Sequence, residues 1–189
     1  MDADRGLVTA AAGGSREAFD ELVLHYQVTV LNLVRAMTAA DGDAEDLAQE
    51  TFVRAWRSIG RFRSDSTFRT WLFGIAINVV RTHRGKRSRL RRLFWSPPKE
   101  ADVNVNVDPL ERASVDDGIE APLAMREVID RALATLPEDM REAVVLRDVQ
   151  GLDYREIAEA LGLPLGTVES RIFRGRQRLR PLLESLLKK

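Results

Sequence analysis

No cysteine occurs among the 189 residues, so disulfides, thiolate zinc sites, iron–sulfur clusters and a catalytic thiol are excluded together. The absence fits a reducing compartment. Aromatic residues make up only 6%, and glycine and proline number 12 and 7, which excludes collagen-like and low-complexity chains. No apolar run approaches the ~18–20 residues that span a bilayer. The start, Met1-Asp2-Ala3-Asp4, is acidic and unlike a secretory signal. A soluble, cytoplasmic protein is expected. The two histidines, His25 and His83, have no ligand-spaced partners, no glycine-rich phosphate loop follows a strand, and no carboxylate pair stands isolated in apolar sequence. Neither catalysis nor a cofactor or metal is expected. What is present is 44% hydrophobic residues, enough for packed cores in one ordinary domain or two small ones.

Net charge is missing too, with 29 basic and 29 acidic side chains, yet the charges are sorted into blocks. Residues 1–59 carry 5 basic and 10 acidic side chains, and residues 60–95 carry 10 and 1. Residues 96–122 carry 2 and 7, residues 123–165 carry 5 and 9, and residues 166–189 carry 7 and 2. A polyanion responds to local potential, because the Debye length is only about 8 Å at physiological salt. Two basic stretches set among acidic ones therefore point to nucleic acid despite the neutral total.

Residues 96–122, with Pro97, Pro98, Pro109 and Pro122 and little apolar periodicity, read as a linker. As a flexible coil it would span roughly 30 Å. It divides an N-terminal unit, 1–95, from a C-terminal one, 123–189. Both read as helical, and the fold class is all-α. Phe19, Leu22, Val23, Tyr26, Val30, Leu33, Val34 and Met37 recur every three or four residues. Asp41-Gly42-Asp43 breaks the chain and offers a cap. Leu47, Phe52, Ala55, Trp56 and Ile59 form a second stripe, and Trp71, Leu72, Ile75, Ala76, Val79 and Val80 a third. After the linker, Val128, Ile129, Ala132, Leu133 and Leu136 predict a helix ending before Pro137, and another is expected over about Glu138–Val149. Pro181 is expected to kink or end the last helix.

Residues 153–180 carry a helix-turn-helix pattern. Ile157, Ala158 and Leu161 make an inner face, Gly162 and Leu163-Pro164 a turn, and Gly166-Thr167 opens a second helix lined by Val168, Ile172 and Leu179. Its other side carries Glu169, Ser170, Arg171, Arg174, Arg176, Gln177 and Arg178. One helix fits a major groove, where Arg can grip guanine edges and further Arg residues neutralise phosphates. In the N-terminal unit, Arg61, Phe62, Arg63, Phe68, Trp71, Phe73, Asn78, Arg81, Arg84 and the Arg87–Arg92 cluster interleave cations with aromatics. That combination suits an unpaired strand, whose bases stack while its backbone follows positive charge. The acidic linker is placed to screen this basic block in the free chain. The acidic stretch Asp41–Glu50 is unsuited to DNA and suits a protein partner.

Asp43-Ala44-Glu45-Asp46-Leu47-Ala48-Gln49-Glu50-Thr51-Phe52-Val53-Arg54-Ala55-Trp56 and the run Phe68 to Asn78 resemble the second conserved region of bacterial sigma factors. Leu136-Pro137-Glu138 through Arg180 resembles their fourth region. A chain holding only these two regions and a linker is similar to the extracytoplasmic-function (ECF) group of the sigma-70 family. The resemblance implies a factor that binds core RNA polymerase and directs it to promoter DNA. It places Asp46, Gln49, Glu50, Phe52, Val53 and Trp56 in a polymerase-binding helix. It places Arg61 to Arg69 in a loop that captures a flipped base, and Asn78, Arg81 and Arg84 on the helix that reads the −10 element. Thr167, Glu169, Ser170, Arg171 and Arg174 fall on the helix that reads the −35 element. An anti-sigma factor is an expected partner. Glu169 stands where many relatives carry a base, which changes the expected −35 preference, since a carboxylate accepts from cytosine N4. A repressor or activator acting without polymerase would account for the helix-turn-helix but leave 43–84 as a generic bundle. An adaptor that has lost its DNA contacts is a further alternative.

Overall fold

The computed structural model of the chain describes residues 4–38, 43–63, 66–94 and 121–186. The acidic linker residues and Asp41-Gly42 lie outside them. The described residues form eight helices: α1 (Arg5–Ala12), α2 (Arg16–Thr38), α3 (Ala44–Ser58), α4 (Phe68–Phe94), α5 (Ala121–Ala134), α6 (Glu138–Val144), α7 (Tyr154–Leu161) and α8 (Leu165–Leu186). A 3-10 turn, Ile59–Arg61, ends α3, and a π turn, Val145–Val149, extends α6.

Helices α1 to α4 pack around α2. The stripe of α2 is buried at Phe19, Leu22, Val30, Leu33, Val34 and Met37, while Leu72, Phe73, Ala76 and Ile77 of α4 supply the facing layer. Phe73 is completely enclosed, so it is core and not a stacking platform. Tyr26, Phe62, Phe68 and Trp71 form a chain of tilted ring contacts at one end of this bundle, with centroids 5.1–6.2 Å apart. Asp43 occupies the N-cap position of α3, but its side chain makes no cap hydrogen bond. It faces the other way, 3.5 Å from His83 Nε2.

Helices α5 to α8 form the second unit, with α8 lying across α6 and α7. Pro122 enters the first turn of α5, where its missing N–H has no helical partner to lose. Ile129, expected in the stripe of α5, is 40% exposed. The start of α7 is fixed by a capping box: Asp153 Oδ1 accepts from the Arg155 and Glu156 amides, and the Asp153 amide donates to Glu156 Oε2. Gly162 ends α7 with φ +65°, the left-handed backbone that glycine adopts without penalty. Pro181 neither ends α8 nor interrupts it before Leu186. It is exposed, so the carbonyl that loses a helical donor there can turn to water.

The two units share one continuous apolar core. Helix α7 lies along α4, and α5 and α6 lie against α2. At Gly74 a Cβ atom would sit only 3.1 Å from the Ala160 carbonyl oxygen, so glycine lets the two backbones meet. No helix among the described residues is long and apolar enough to cross a membrane.

Candidate nucleic-acid and polymerase interfaces

The C-terminal unit presents α8. Burial of Val168, Ile172 and Leu179 fixes its rotation. With 3.6 residues per turn, Ser170, Phe173, Arg174 and Gln177 then point directly outward, and all four are exposed. Phe173 reads in the sequence as one more apolar helix residue, yet it is 64% exposed. On an outward face between a hydroxyl and a guanidinium it is a candidate contact for a thymine methyl.

Arg171 and Arg176 do not share that face. They flank the buried stripe and turn back to the α6 segment. Arg171 Nε lies 3.4 Å from Asp139, and Arg176 Nε donates to Asp148 at 3.0 Å. The Asp148 carboxylate raises Arg176 above the ordinary guanidinium value. Arg178 is exposed on the Arg171 side. Thr167 is the third helical residue rather than the cap, because the first turn of α8 is received by the Pro164 carbonyl. Glu169 lines an open groove of about 470 Å³ with Arg147, Tyr154, Arg155 and Leu165. In that groove Arg147 stacks over Tyr154 at 5.1 Å. The carboxylate thus shares the groove with two cations, an aromatic ring and the capping carboxylate Asp153.

The N-terminal unit presents α4 and the loop before it. Arg61 and Arg63 are exposed, and residues 64–65 lie outside the described ones. Phe62 is half-buried in the aromatic chain, against Trp71 and edge-on to Phe68. Asn78 is exposed and lines a cleft of about 230 Å³ with Trp71, Gly74 and, from α7, Glu159 and Ala160. Arg81 and Arg84, also sequence candidates for DNA, are engaged by the other unit. Arg81 grips Glu142 with two bonds, of 2.9 and 2.6 Å. That carboxylate raises Arg81 above its ordinary value. Arg84 pairs with Glu138 at 2.8 Å and donates to the Met37 carbonyl. The Arg91 and Arg92 side chains lie outside the described ones.

A third surface lies between α2 and α3. A groove of about 290 Å³ is lined by Val23, Gln27, Leu31, Ala48, Gln49 and Phe52. Glu45 completes the lining, in which Gln49 is exposed and Phe52 half-buried; Asp46, Val53 at 42% and Trp56 at 38% are exposed elsewhere on α3 and are not part of the lining. Trp56 leans on Phe19 with centroids 5.0 Å apart. Glu50 accepts from Arg54 at 2.7 Å, which lowers its pKa, and so serves its own helix surface. Beside the groove on α2 stand Leu24, 68% exposed, and Val28, 64% exposed. Both fall outside the buried stripe, and an apolar i, i+4 pair off that stripe is the sequence mark of such a patch. Among the described residues no group of three His, Asp or Glu side chains could hold a metal ion.

Comparison with known proteins agrees with this layout. Residues 22–90 match the model of Sigma-70 region 2, and residues 126–179 match that of Sigma-70, region 4. The chain is 37% identical to the RNA polymerase sigma-H factor of Pseudomonas aeruginosa, over 100% of this chain and 97% of that one. It is 34% identical to the ECF RNA polymerase sigma-E factor of Escherichia coli K12, over 98% and 97%. Among solved structures, the sigma factor RpoE of Bartonella quintana, in complex with the anti-sigma factor NepR, superposes with a TM-score of 0.69 at 28% identity, covering 88% of this chain and 96% of that one. With both conserved regions present in order and relatives matched from end to end, the chain belongs to the extracytoplasmic-function group of the sigma-70 family of RNA polymerase sigma factors.

Proposed function

We propose a division of labour for this sigma factor, whose function is promoter recognition for RNA polymerase. The α2–α3 groove, with Asp46, Gln49, Phe52, Val53 and Trp56 and the neighbouring Leu24 and Val28, receives core polymerase. A largely apolar cleft whose one charged lining residue is a carboxylate, Glu45, is unsuited to DNA and fits a helical protein surface carrying basic residues. The loop after α3 and the face of α4 that holds Asn78, Arg81 and Arg84 take the unwound −10 strand. Helix α8 reads the −35 duplex through Ser170, Phe173 and Arg174, with Glu169 at the edge of the same surface. The factor is a non-catalytic subunit, works in the cytoplasm where polymerase and promoter meet, and has an anti-sigma factor as a further partner. The single observation that carries this reading is the pair of separate cationic surfaces, one on each unit, beside an apolar groove that carries no excess of positive charge.

Run-off transcription with purified core polymerase over a promoter library tests it. Defined start sites that depend on this chain are expected, and their absence would refute the assignment. Within that assay Arg174 and Arg176 separate an outward cation from one paired with Asp148 beside the buried stripe. Arg174→Ala should lower duplex affinity and promoter output by about 10–100-fold, the range of one lost base contact of ~1–3 kcal/mol. Arg176→Ala should change either by less than about threefold, because its guanidinium is already committed to Asp148 in an exposed pair of small net value. Equal effects of the two variants would show that α8 is rotated otherwise in its complex with DNA.

A further inference from the structure

The geometry points to Asp4, the residue before α1, as a positioning residue for the loop that takes the unwound strand. Through Tyr26 and Phe68 it braces the aromatic chain on which both ends of that loop rest. This deepens the reading of the loop after α3 as a strand-capture element and rests on that reading.

Asp4 occupies the N-cap position of α1, where an aspartate ordinarily accepts from amides of the first turn. Its side chain makes no such bond. It turns to α2 instead, where the Tyr26 hydroxyl donates to Oδ2 and His25 Nδ1 lies 3.3 Å from Oδ1. The Asp4 side chain is only 6% exposed, and a carboxylate taken so far out of water needs committed partners. The result is a fixed Tyr26 ring. Its hydroxyl is held at one end, and His25 stacks on its face with centroids 4.9 Å apart.

From Tyr26 the contact runs to Phe68 at 5.5 Å, and from Phe68 to Trp71 at 5.6 Å and edge-on to Phe62 at 6.2 Å. Phe62 follows the 3-10 turn after α3, and Phe68 opens α4. These two residues are therefore the ends of the capture loop. Phe68 is fully enclosed, whereas Phe62 is half-buried between the exposed Arg61 and Arg63. Helix α1, anchored by its buried Val8 and Ala11, also packs on the 3-10 turn, where a Cβ at Gly60 would meet the Ala12 carbonyl oxygen at 3.9 Å. Ring contacts are directional and a close-packed interior passes displacement on. A Tyr26 ring released from Asp4 thus shifts Phe68 and the root of the loop. Asp4 itself, buried and anionic, touches no DNA.

The test uses holoenzyme assembled from the full chain and core polymerase. Its probe is a fluorescein-labelled single strand carrying the −10 element of a promoter found by run-off transcription, intact or with an abasic site at each −10 position in turn. Wild-type affinity should fall about tenfold at the position whose base the loop takes. Asp4→Ala should bind the intact strand about tenfold more weakly, yet match wild type within about twofold on the strand abasic at that position. Tyr26→Phe, which keeps the ring, should repeat this pattern. Asp4→Asn, whose amide oxygen still accepts from Tyr26, should recover to within about threefold of wild type. Affinity for −35 duplex should stay within about twofold for all three variants.

A merely structural role would weaken binding to intact and abasic strands alike. That outcome, an Asp4→Asn protein as weak as Asp4→Ala, or wild-type strand affinity in both Asp4→Ala and Tyr26→Phe would each overturn the proposal while leaving the capture reading standing. A wild-type holoenzyme indifferent to every abasic site would remove both. Should Asp4→Ala fail to fold, Tyr26→Phe alone decides among these outcomes.

Discussion

Gly175→Leu is expected to destabilise the C-terminal unit by about 3 kcal/mol or more and to abolish duplex binding in step. Gly175 lies where α8 crosses α6. A Cβ there would stand 2.5 Å from Val144 Cγ2, far inside van der Waals contact, with Met140 3.6 Å away. Val144 is 2% exposed, and a β-branched side chain on a helix strongly prefers one rotamer, so it retreats only at a cost. Alanine in place of glycine would add up to about 1 kcal/mol of helix propensity. Overpacking of ~1–3 kcal/mol opposes that gain even for one methyl, and leucine adds three further carbons. Gly85→Ala is the matched contrast, because its Cβ would meet nothing within 4 Å, and it should stabilise α4 slightly. Circular-dichroism melting of both variants, with duplex affinity below the transition, reads the difference. A Gly175→Leu protein melting within 2 °C of wild type would mean that α6 and α8 do not cross this closely.

Arg141→Ala should lower stability by about 3–4 kcal/mol, and so the melting temperature by about 10 °C for a chain of this size. Arg141 is almost fully buried and spends its guanidinium on carbonyls. It donates to Leu133, Ala134 and Leu136 at 2.8, 2.7 and 2.9 Å, closing the end of α5, and to Met37 at 3.0 Å, at the end of α2. The last carbonyls of a helix lack internal partners and carry negative partial charge, so one planar cation satisfies two helix ends. Burial, and next the nearby Arg84, hold Arg141 below the ordinary arginine value. Its guanidinium is held by those four carbonyl acceptors. Arg141→Lys keeps the charge but not the fork, and should recover less than half of the lost stability. Full recovery by lysine would show that charge alone matters there.

Periodicity made most of the fold legible. The α2 stripe, the α4 stripe and the Ile157–Leu161 and Val168–Leu179 faces are buried much as their spacing required, because one apolar face per helix is a local property. Turn chemistry placed Gly162 and the helix-turn-helix correctly for the same reason. Facing was harder to read. Arg171 and Arg176 belong to a basic run, and only the rotation of α8 against α6 shows that they flank the buried stripe and pair with Asp139 and Asp148. Least legible were relations across the chain. The acidic linker expected to screen the basic block lies outside the described residues, and among these the carboxylates that reach the block are Asp43 at the start of α3 and Glu138, Glu142 and Glu156 on helices of the other unit. An acid on a helix face looks like ordinary solvation until its partner, 61 positions away for Arg81 and Glu142, is brought beside it.

The Met37 carbonyl accepts from Arg84 of one unit and Arg141 of the other. Two like charges converge on one oxygen, one from within the N-terminal unit and one from across the seam. Drawing Arg84 away eases the repulsion and leaves Arg141 still fastened to the end of α2, so that loss tightens the seam instead of opening it.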